Sequence, residues 1–524
     1  ELAHKRFGKL PWKDLMIPAV NLADEGCVVD QALADSLNGV LRGKETARFA
    51  ELRRVFGPPD AKAWRAGDRL VQKELAATLR LVAEGGADAF YKGRIADQIV
   101  AEMRAGDGLI TRDDLAAYRA KERRPIHGTY RGYDIYGPPP PSSGGICLVQ
   151  MLNILEQLDL KKPGFSEKPG FSASPEAAHL MIEAVRRAYL DRARHLGDGD
   201  FIKIPDHLTS KEYAARLAGE IDRRRATPSE GLARDISLAA ERDRASNKFS
   251  RHDPQAPPSL LGGVRDLPLS RTVFNHPLHR ASSVGRSYAA GSAESCGPPS
   301  ILGGAAQNPG FSEKPGFCDD FVASDFTSQT THFSIVDGTG MAVANTYTLE
   351  HSFGSRVVVR GAGFLLNNQM GDFNPKPGHT DRSGRIGTKP NLIAPGKRML
   401  SSQTPTIVSR DGKLVLVTGS PGGRTIINTV LCVVLNRLEF GLAPRDCIAA
   451  PRLHHQWLPD VVRLEGQERP EFQGLVAALR ERGHRVDDKP YKQGDAHSIF
   501  TDPRTGELIG VADGRRRGRA AAAK

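Results

Sequence analysis

From Thr331 onward the chain is written in paired, strand-like runs closed by glycine turns, and this pattern restricts the fold more than any other feature. Thr331 to Asp337 (THFSIVD) alternates in character, and Met341 to Thr348 (MAVANTYT) follows after Gly338-Thr339-Gly340. TPTIVSR and Lys413 to Ser420 (KLVLVTGS) repeat the arrangement around Asp411-Gly412, a dipeptide suited to a tight hairpin turn. Gly422 and Gly423 then open an apolar helix from about Thr425 to Phe440. Pro470 to Arg482 reads as another helix, and His497 to Thr501 and Leu508 to Val511 as late strands. Hairpins, then helices, then strands predict stacked sheets with helices outside.

The upstream part has a different texture. Residues 1–122 read as mostly helical, with apolar residues at three- and four-residue spacing in Gln72 to Glu84 and Ile95 to Arg104, and Thr111 capping a short helix. His127 to Tyr136 (HGTYRGYDIY) suggests a hairpin. Pro138 to Pro141 and Ser142-Ser143-Gly144-Gly145 make a rigid entry into a helix from about Ile146 to Leu158, and Pro175 to His195 fits a second long helix. Residues from about 240 to 322 are rich in Pro, Ser, Gly and Arg without a sustained period, which predicts a disordered or loosely held linker. The nonapeptide PGFSEKPGF stands at Pro163 to Phe171 and again at Pro309 to Phe317, which reads as inserted sequence without a catalytic role. The chain thus divides into 1–239, a linker at 240–329, and 330–524.

Composition narrows the function classes. A chain of 524 residues with 26% charged side chains can bury a large core. No apolar run approaches the roughly 18–20 residues that span a bilayer, so no transmembrane segment is expected. The formal charge of +12 is dispersed and argues against a nucleic-acid partner. The one tight basic run, Arg515-Arg516-Arg517, reads as a frayed, solvated tail. Six cysteines form no CxxC pair, so zinc and redox motifs have no support, and Cys432 reads as core. His454 and His455 would point to opposite faces of a strand, which disfavours a shared metal. Starting at Glu1, with neither an initiator Met nor a signal peptide, the sequence reads as a fragment or a product that has lost its start.

The chemistry concentrates where the linker meets the first strand, at Ser328-Gln329-Thr330-Thr331-His332-Phe333-Ser334. Thr330, His332 and Ser334 share one strand face, and Phe333 and Ile335 the other. The apolar face is expected to pack into the core and to leave Thr330 at the exposed beginning of the strand. If the bond between Gln329 and Thr330 breaks, Thr330 carries a hydroxyl and a free α-amine. That amine has a pKa of about 7.7–8.0 and can act as general base for its own hydroxyl. Gly419-Ser420-Pro421-Gly422-Gly423-Arg424 leads from a strand into a helix and offers unpaired N–H groups suited to an oxyanion. Ser401 and Ser402 can donate to a carboxylate, and Asn367-Asn368-Gln369 with Asp372 suits an ammonium. Each of these motifs, taken singly, is also an ordinary turn or strand entry.

Taken together they resemble a family. TTHFSIVDGTGMAVANTYTLEHSFGS, GFLLNNQMGDF, KRMLSSQTPTIV, VTGSPGGRTI and APRLHHQWLPD are similar, in that order, to the small subunit of γ-glutamyltranspeptidases. FYKGRIADQIVAEM, GLITRDDLAAY and YRGYDIYGPPPPSSGG resemble the large subunit. The resemblance implies the α+β, four-layer αββα sandwich of N-terminal-nucleophile hydrolases and autocleavage between Gln329 and Thr330 into a large/small heterodimer. It implies Thr330 as nucleophile, with Thr348 holding it in place. It further implies Gln369 and Asp372 at the substrate α-amine, Ser401 and Ser402 at its α-carboxylate, Gly422 and Gly423 at the oxyanion, and a lid at about 375–396. Small-molecule substrates follow: glutathione and γ-glutamyl compounds as donors, amino acids or dipeptides as acceptors, with no metal or organic cofactor. A periplasmic or extracellular location is implied as well. Two departures stand out. Glu350 occupies a substrate-binding position where many relatives carry Asn, and no residue matches the carboxylate-binding arginine of the family's first segment. A cephalosporin- or glutaryl-type acylase of the same fold, and an uncleaved binding protein, remain as alternatives.

Overall fold

The computed structural model describes residues 1–60, 62–160, 174–238, 330–516 and 518–522. Both nonapeptide copies, Gln329, and the linker from 239 onward lie outside the described residues.

The elements that build the site are numbered in chain order. Strands β1 (Ile126–Tyr130) and β2 (Tyr133–Gly137) turn at Arg131-Gly132, where both residues have positive φ. Helices α1 (Gly144–Glu156) and α2 (Pro175–His195) follow, the second capped by the Ser174 side chain. Beyond residue 330 come β3 (Thr331–Val336), β4 (Ala342–Tyr347), β5 (Thr406–Arg410), β6 (Lys413–Thr418), α3 (Ile426–Leu438), α4 (Pro470–Glu481), β7 (Ser498–Thr501) and β8 (Leu508–Val511). The β5–β6 turn uses Asp411 and Gly412 at positive φ, as its composition predicts.

A six-stranded antiparallel sheet runs β8-β7-β6-β5-β2-β1, so strands from before and after the linker are hydrogen-bonded into one ladder. Ile135 of β2 faces Val408 of β5 across that seam. Helices α1, α2 and α3 are buried almost throughout and share one core with Ile135, Val408, Leu416 and Phe500 of the sheet. Leu416 and its neighbour Val417 are both fully buried, so both faces of the sheet are covered at β6. The β3–β4 hairpin forms a second sheet that packs on β6 and β7. Among the described residues, 1–117 form seven α-helices and one short 3-10 helix, with small cores completed by Val358, Val359 and Ala362 from beyond the linker. The Thr111 helix carries a full capping box with Asp114.

Two expectations are corrected. The buried face of β3 is the polar one: His332 is 3% exposed and Thr330 6%, whereas Phe333 and Ile335 are 36% and 53% exposed. Alternation identifies which residues share a face, but not which face meets the sheet. Here the polar groups satisfy one another, which removes the cost of burying them. The first arginine of the basic run is also anchored. The Arg515 guanidinium donates to Glu465 and Asp513 and to the carbonyls of Ile448 and Ala450, because those buried carboxylates need a cationic partner.

Candidate active site

The β3–β4 ladder pairs Thr331 with Tyr347 and His332 with Thr346. One step further, the same register sets Thr330 opposite Thr348. Thr331 and Tyr347 face outward, so Thr330, His332, Thr346 and Thr348 share the inward face.

A directional hydrogen-bond chain fixes this face. Ser334 Oγ donates to the His497 carbonyl at 2.8 Å, so it accepts from His332 Nε2 at 3.1 Å. His332 Nδ1 is then the acceptor for the Thr346 hydroxyl at 2.8 Å. The imidazole is neutral, and burial pushes its pKa down to about 3. Gly419, at the end of β6, lies so close that a β-carbon there would overlap the His332 ring. This contact brings Gly419 and the loop after it beside the strand that follows Thr330. Gly422 and Gly423 both have positive φ, at 137° and 56°, and Gly423–Thr425 forms a single tight turn feeding α3. The Gly422 carbonyl accepts from Thr425 N and Oγ1, which closes the turn at the entry to α3.

The Thr348 hydroxyl accepts from the backbone N–H of Glu350 at 2.8 Å. Glu350, at φ 77°, accepts from Asn368 Nδ2 at 2.6 Å. Asn368 in turn precedes the Gln369–Asp372 turn, in which Gln369 Nε2 donates to Asp372 at 3.4 Å. Burial raises the Asp372 carboxyl to about 6, the Glu350 charge adds to this, and Arg192 and Arg424 oppose it. Glu350 is itself raised by burial. The result is a carboxylate pair suited to a cation.

Asn391 joins this region to the serine pair. Its Nδ2 donates to the Asp372 carbonyl at 2.7 Å and its Oδ1 accepts from Leu400 N at 2.9 Å. Ser401 and Ser402 follow directly. Segment 375–396 is tied down on both sides of the linker: Arg424 donates to the Gly384 carbonyl, and the Thr388 hydroxyl to the Ala193 carbonyl of α2.

The histidines have structural partners. His454 and His455 bond separately, to Asn428 and Gln456 in one case and to Asp460 in the other. His179, Glu183 and His484 lie close enough to suggest a metal, but their lone pairs are committed. Arg186 donates to His484 Nδ1, His484 Nε2 donates to His179 Nδ1 at 2.7 Å, and His179 Nε2 donates to the Asp222 carbonyl. Glu183 is paired with Arg186 and Arg187.

Sequence reasoning missed His332, Asn391 and Arg192. The first lay within the quoted motif, on the face taken to be solvent-facing. The others act through long-range contacts that no local pattern signals.

The layered α+β architecture, with a hydroxyl residue beginning the strand beside a helix-entry glycine loop, defines an N-terminal-nucleophile hydrolase. The sequence model of γ-glutamyltranspeptidase matches residues 1–255 and 306–523, and the chain belongs to that family. It is 39% identical over 515 residues to a glutathione hydrolase proenzyme of Escherichia coli (strain K12), covering 98% of this chain and 72% of that protein. It is 30% identical over 508 residues to the acylase ACY 1 proenzyme of Pseudomonas sp. (strain SE83), covering 97% of this chain and 70% of that protein. The fold is similar to that of a cephalosporin acylase from Bacillus halodurans, with TM-score 0.70 and 23% identity over 99% of this chain and 76% of the other.

Proposed function

We propose that this chain is an autoprocessing γ-glutamyl hydrolase and transferase that cleaves glutathione and related γ-glutamyl amides through an ester on Thr330. The observation that carries the reading is the contact of Gly419 with His332 on a strand whose register pairs Thr331 with Tyr347; extended by one residue, that register supports Thr330 lying against Thr348. Scission between Gln329 and Thr330 gives a large chain, built on residues 1–239 with the linker, and a small chain of residues 330–524. It also frees the Thr330 amine.

The free amine accepts the proton of the Thr330 hydroxyl as Oγ attacks the γ-carbonyl carbon. The Thr348 hydroxyl, already accepting from Glu350 N, has its proton available to hold the Thr330 oxygen. The N–H groups of Gly422 and Gly423 stabilise the oxyanion. The amine leaving group takes the proton and departs, leaving the γ-glutamyl ester. Water, an amino acid or a dipeptide then attacks the ester carbonyl, and the Thr330 oxygen recovers its proton. Asp372, Gln369 and Glu350 receive the substrate ammonium, and Ser401 and Ser402 its α-carboxylate. The acidic pair favours a γ-glutamyl donor over a glutaryl one, which has no ammonium to offer. Among the described residues no helix is long and apolar enough to cross a membrane. The family resemblance supports a periplasmic or extracellular location.

The test is a denaturing gel with mass spectrometry, followed by initial rates on γ-glutamyl-p-nitroanilide and a glutaryl amide. A small chain beginning at Thr330 and preference for the γ-glutamyl donor are expected. Thr330→Ala abolishes both processing and turnover. Splitting of that variant at the same bond would refute autocatalysis.

A further inference from the structure

The proline-rich motif before the linker has no part in the chemistry above, yet it touches the serine pair directly. We propose that Arg192, together with Ser142 and Ser143, is a positioning cradle. It orients the Ser401 and Ser402 hydroxyls, which the γ-glutamyl reading already assigns to the substrate α-carboxylate, so that both donate to that group. The proposal rests on the γ-glutamyl reading and names residues beyond it.

The backbone contacts are close and reciprocal. Ser143 N donates to the Ser401 carbonyl and Ser401 N to the Pro141 carbonyl, both at 2.9 Å, and Ser142 and Ser401 form a parallel bridge. Ser142 Oγ donates to the Gln403 carbonyl at 2.5 Å, and Ser143 Oγ to the Ser401 carbonyl at 2.7 Å. At Gly144 a β-carbon would collide with the Gln403 carbonyl, so the approach needs the missing side chain.

Proton counting then sets the direction of each hydroxyl. A guanidinium only donates. Arg192 Nε donates to Ser143 Oγ at 2.9 Å and Nη2 to Ser402 Oγ at 3.0 Å. Ser402 Oγ is therefore an acceptor here, and its own proton is available to another group. Ser401 Oγ accepts from Gln403 N at 3.0 Å, with the same consequence. Two adjacent hydroxyl protons beside a guanidinium match a planar monoanion such as a carboxylate. The Asn391 link from Leu400 N to the Asp372 carbonyl holds this anion-binding end at a fixed distance from the cation-binding end. A carbon bearing both an ammonium and a carboxylate, the head of an α-amino acid, satisfies both.

The experiment uses the full chain with Arg192→Gln, Arg192→Lys and Ser143→Ala. Each is assayed on γ-glutamyl-p-nitroanilide and on its counterpart whose α-carboxylate is an α-carboxamide. Loss of a hydrogen bond to a charged group corresponds to about a ten- to hundredfold rise in KM. Arg192→Gln is expected to show that rise on the acid, a change under about threefold on the amide, and little change in kcat. Arg192→Lys is expected to recover part of the loss, and Ser143→Ala to show a smaller rise of the same selectivity. Processing at residue 330 in each variant reports that it has folded. Equal losses on both donors, or an unchanged KM for the acid in Arg192→Gln, would overturn the cradle alone. A processed wild-type chain inactive on both donors would overturn the γ-glutamyl reading, and the cradle with it.

Discussion

Asp372→Asn should make the unliganded protein more stable at neutral pH while crippling it as a γ-glutamyl enzyme. The Asp372 carboxyl is raised from 3.8 to about 6, first by burial and second by Glu350. A carboxyl with a raised folded-state pKa destabilises the fold when ionised. That penalty is fully present above about pH 6 and disappears as pH falls towards the unfolded value near 4. A shift of this size corresponds to about 3 kcal/mol if fully expressed. The side chain keeps some contact with solvent, which leaves about 1–3 kcal/mol. The amide cannot ionise, so the variant escapes the penalty. In urea titrations of the processed enzyme without substrate, the variant's midpoint should exceed the wild type's at pH 8, and the gap should close by pH 4. Binding runs the other way, because only the carboxylate form attracts an ammonium. Protonation of the Thr330 amine lowers kcat/KM on the acid side in both proteins, and the wild type should fall by about a further tenfold per unit below pH 6; the variant should lack that added steepening and show a raised KM. A variant less stable than wild type at pH 8, or a gap that persists unchanged at pH 4, would refute the reasoning.

Further outcomes follow from packing and buried charge. Gly419→Ala drives a β-carbon into the His332 ring, and overpacking of this kind costs about 1–3 kcal/mol; a gel time course should show slower processing at residue 330. Arg515→Met strips buried Glu465 and Asp513 of a shared partner, with an expected loss of about 3 kcal/mol in the denaturant midpoint. Burial lowers His484 and His454 to about 3 and His455 to about 4, against about 6.5 unfolded. Their neutral forms therefore support the fold above pH 6.5, and stability should drain away from there towards pH 4; His484→Gln should flatten that slope in melts across the range.

Local signals specified most of the elements. Asp411-Gly412 and Arg131-Gly132 mark turns by their φ requirements, and Ser174-Pro175 starts α2 where a cap and a proline should. The Gln369–Asp372 turn and the glycine loop were likewise visible as motifs. Contacts between distant segments were not. The burial of the His332 face depends on Gly419 and on the His497 carbonyl, and the Arg515 anchor depends on Glu465. Arg192 lies on an ordinary-looking helix, and only the folded chain brings it to Ser402. Periodicity can name a face; it cannot name what the face will meet.

The shared six-stranded ladder bears on how such a molecule ages. In the proposed two-chain form, β1–β2 and β5–β8 belong to separate polypeptides, yet they remain hydrogen-bonded across the seam of Ile135 and Val408. The intact precursor can use tethering to find that register, whereas two parted strands must meet by diffusion. The matured protein should therefore be easy to break and hard to rebuild: heated once, it would not return on cooling, and its endurance would be a lifetime set by the unfolding barrier, not an equilibrium constant.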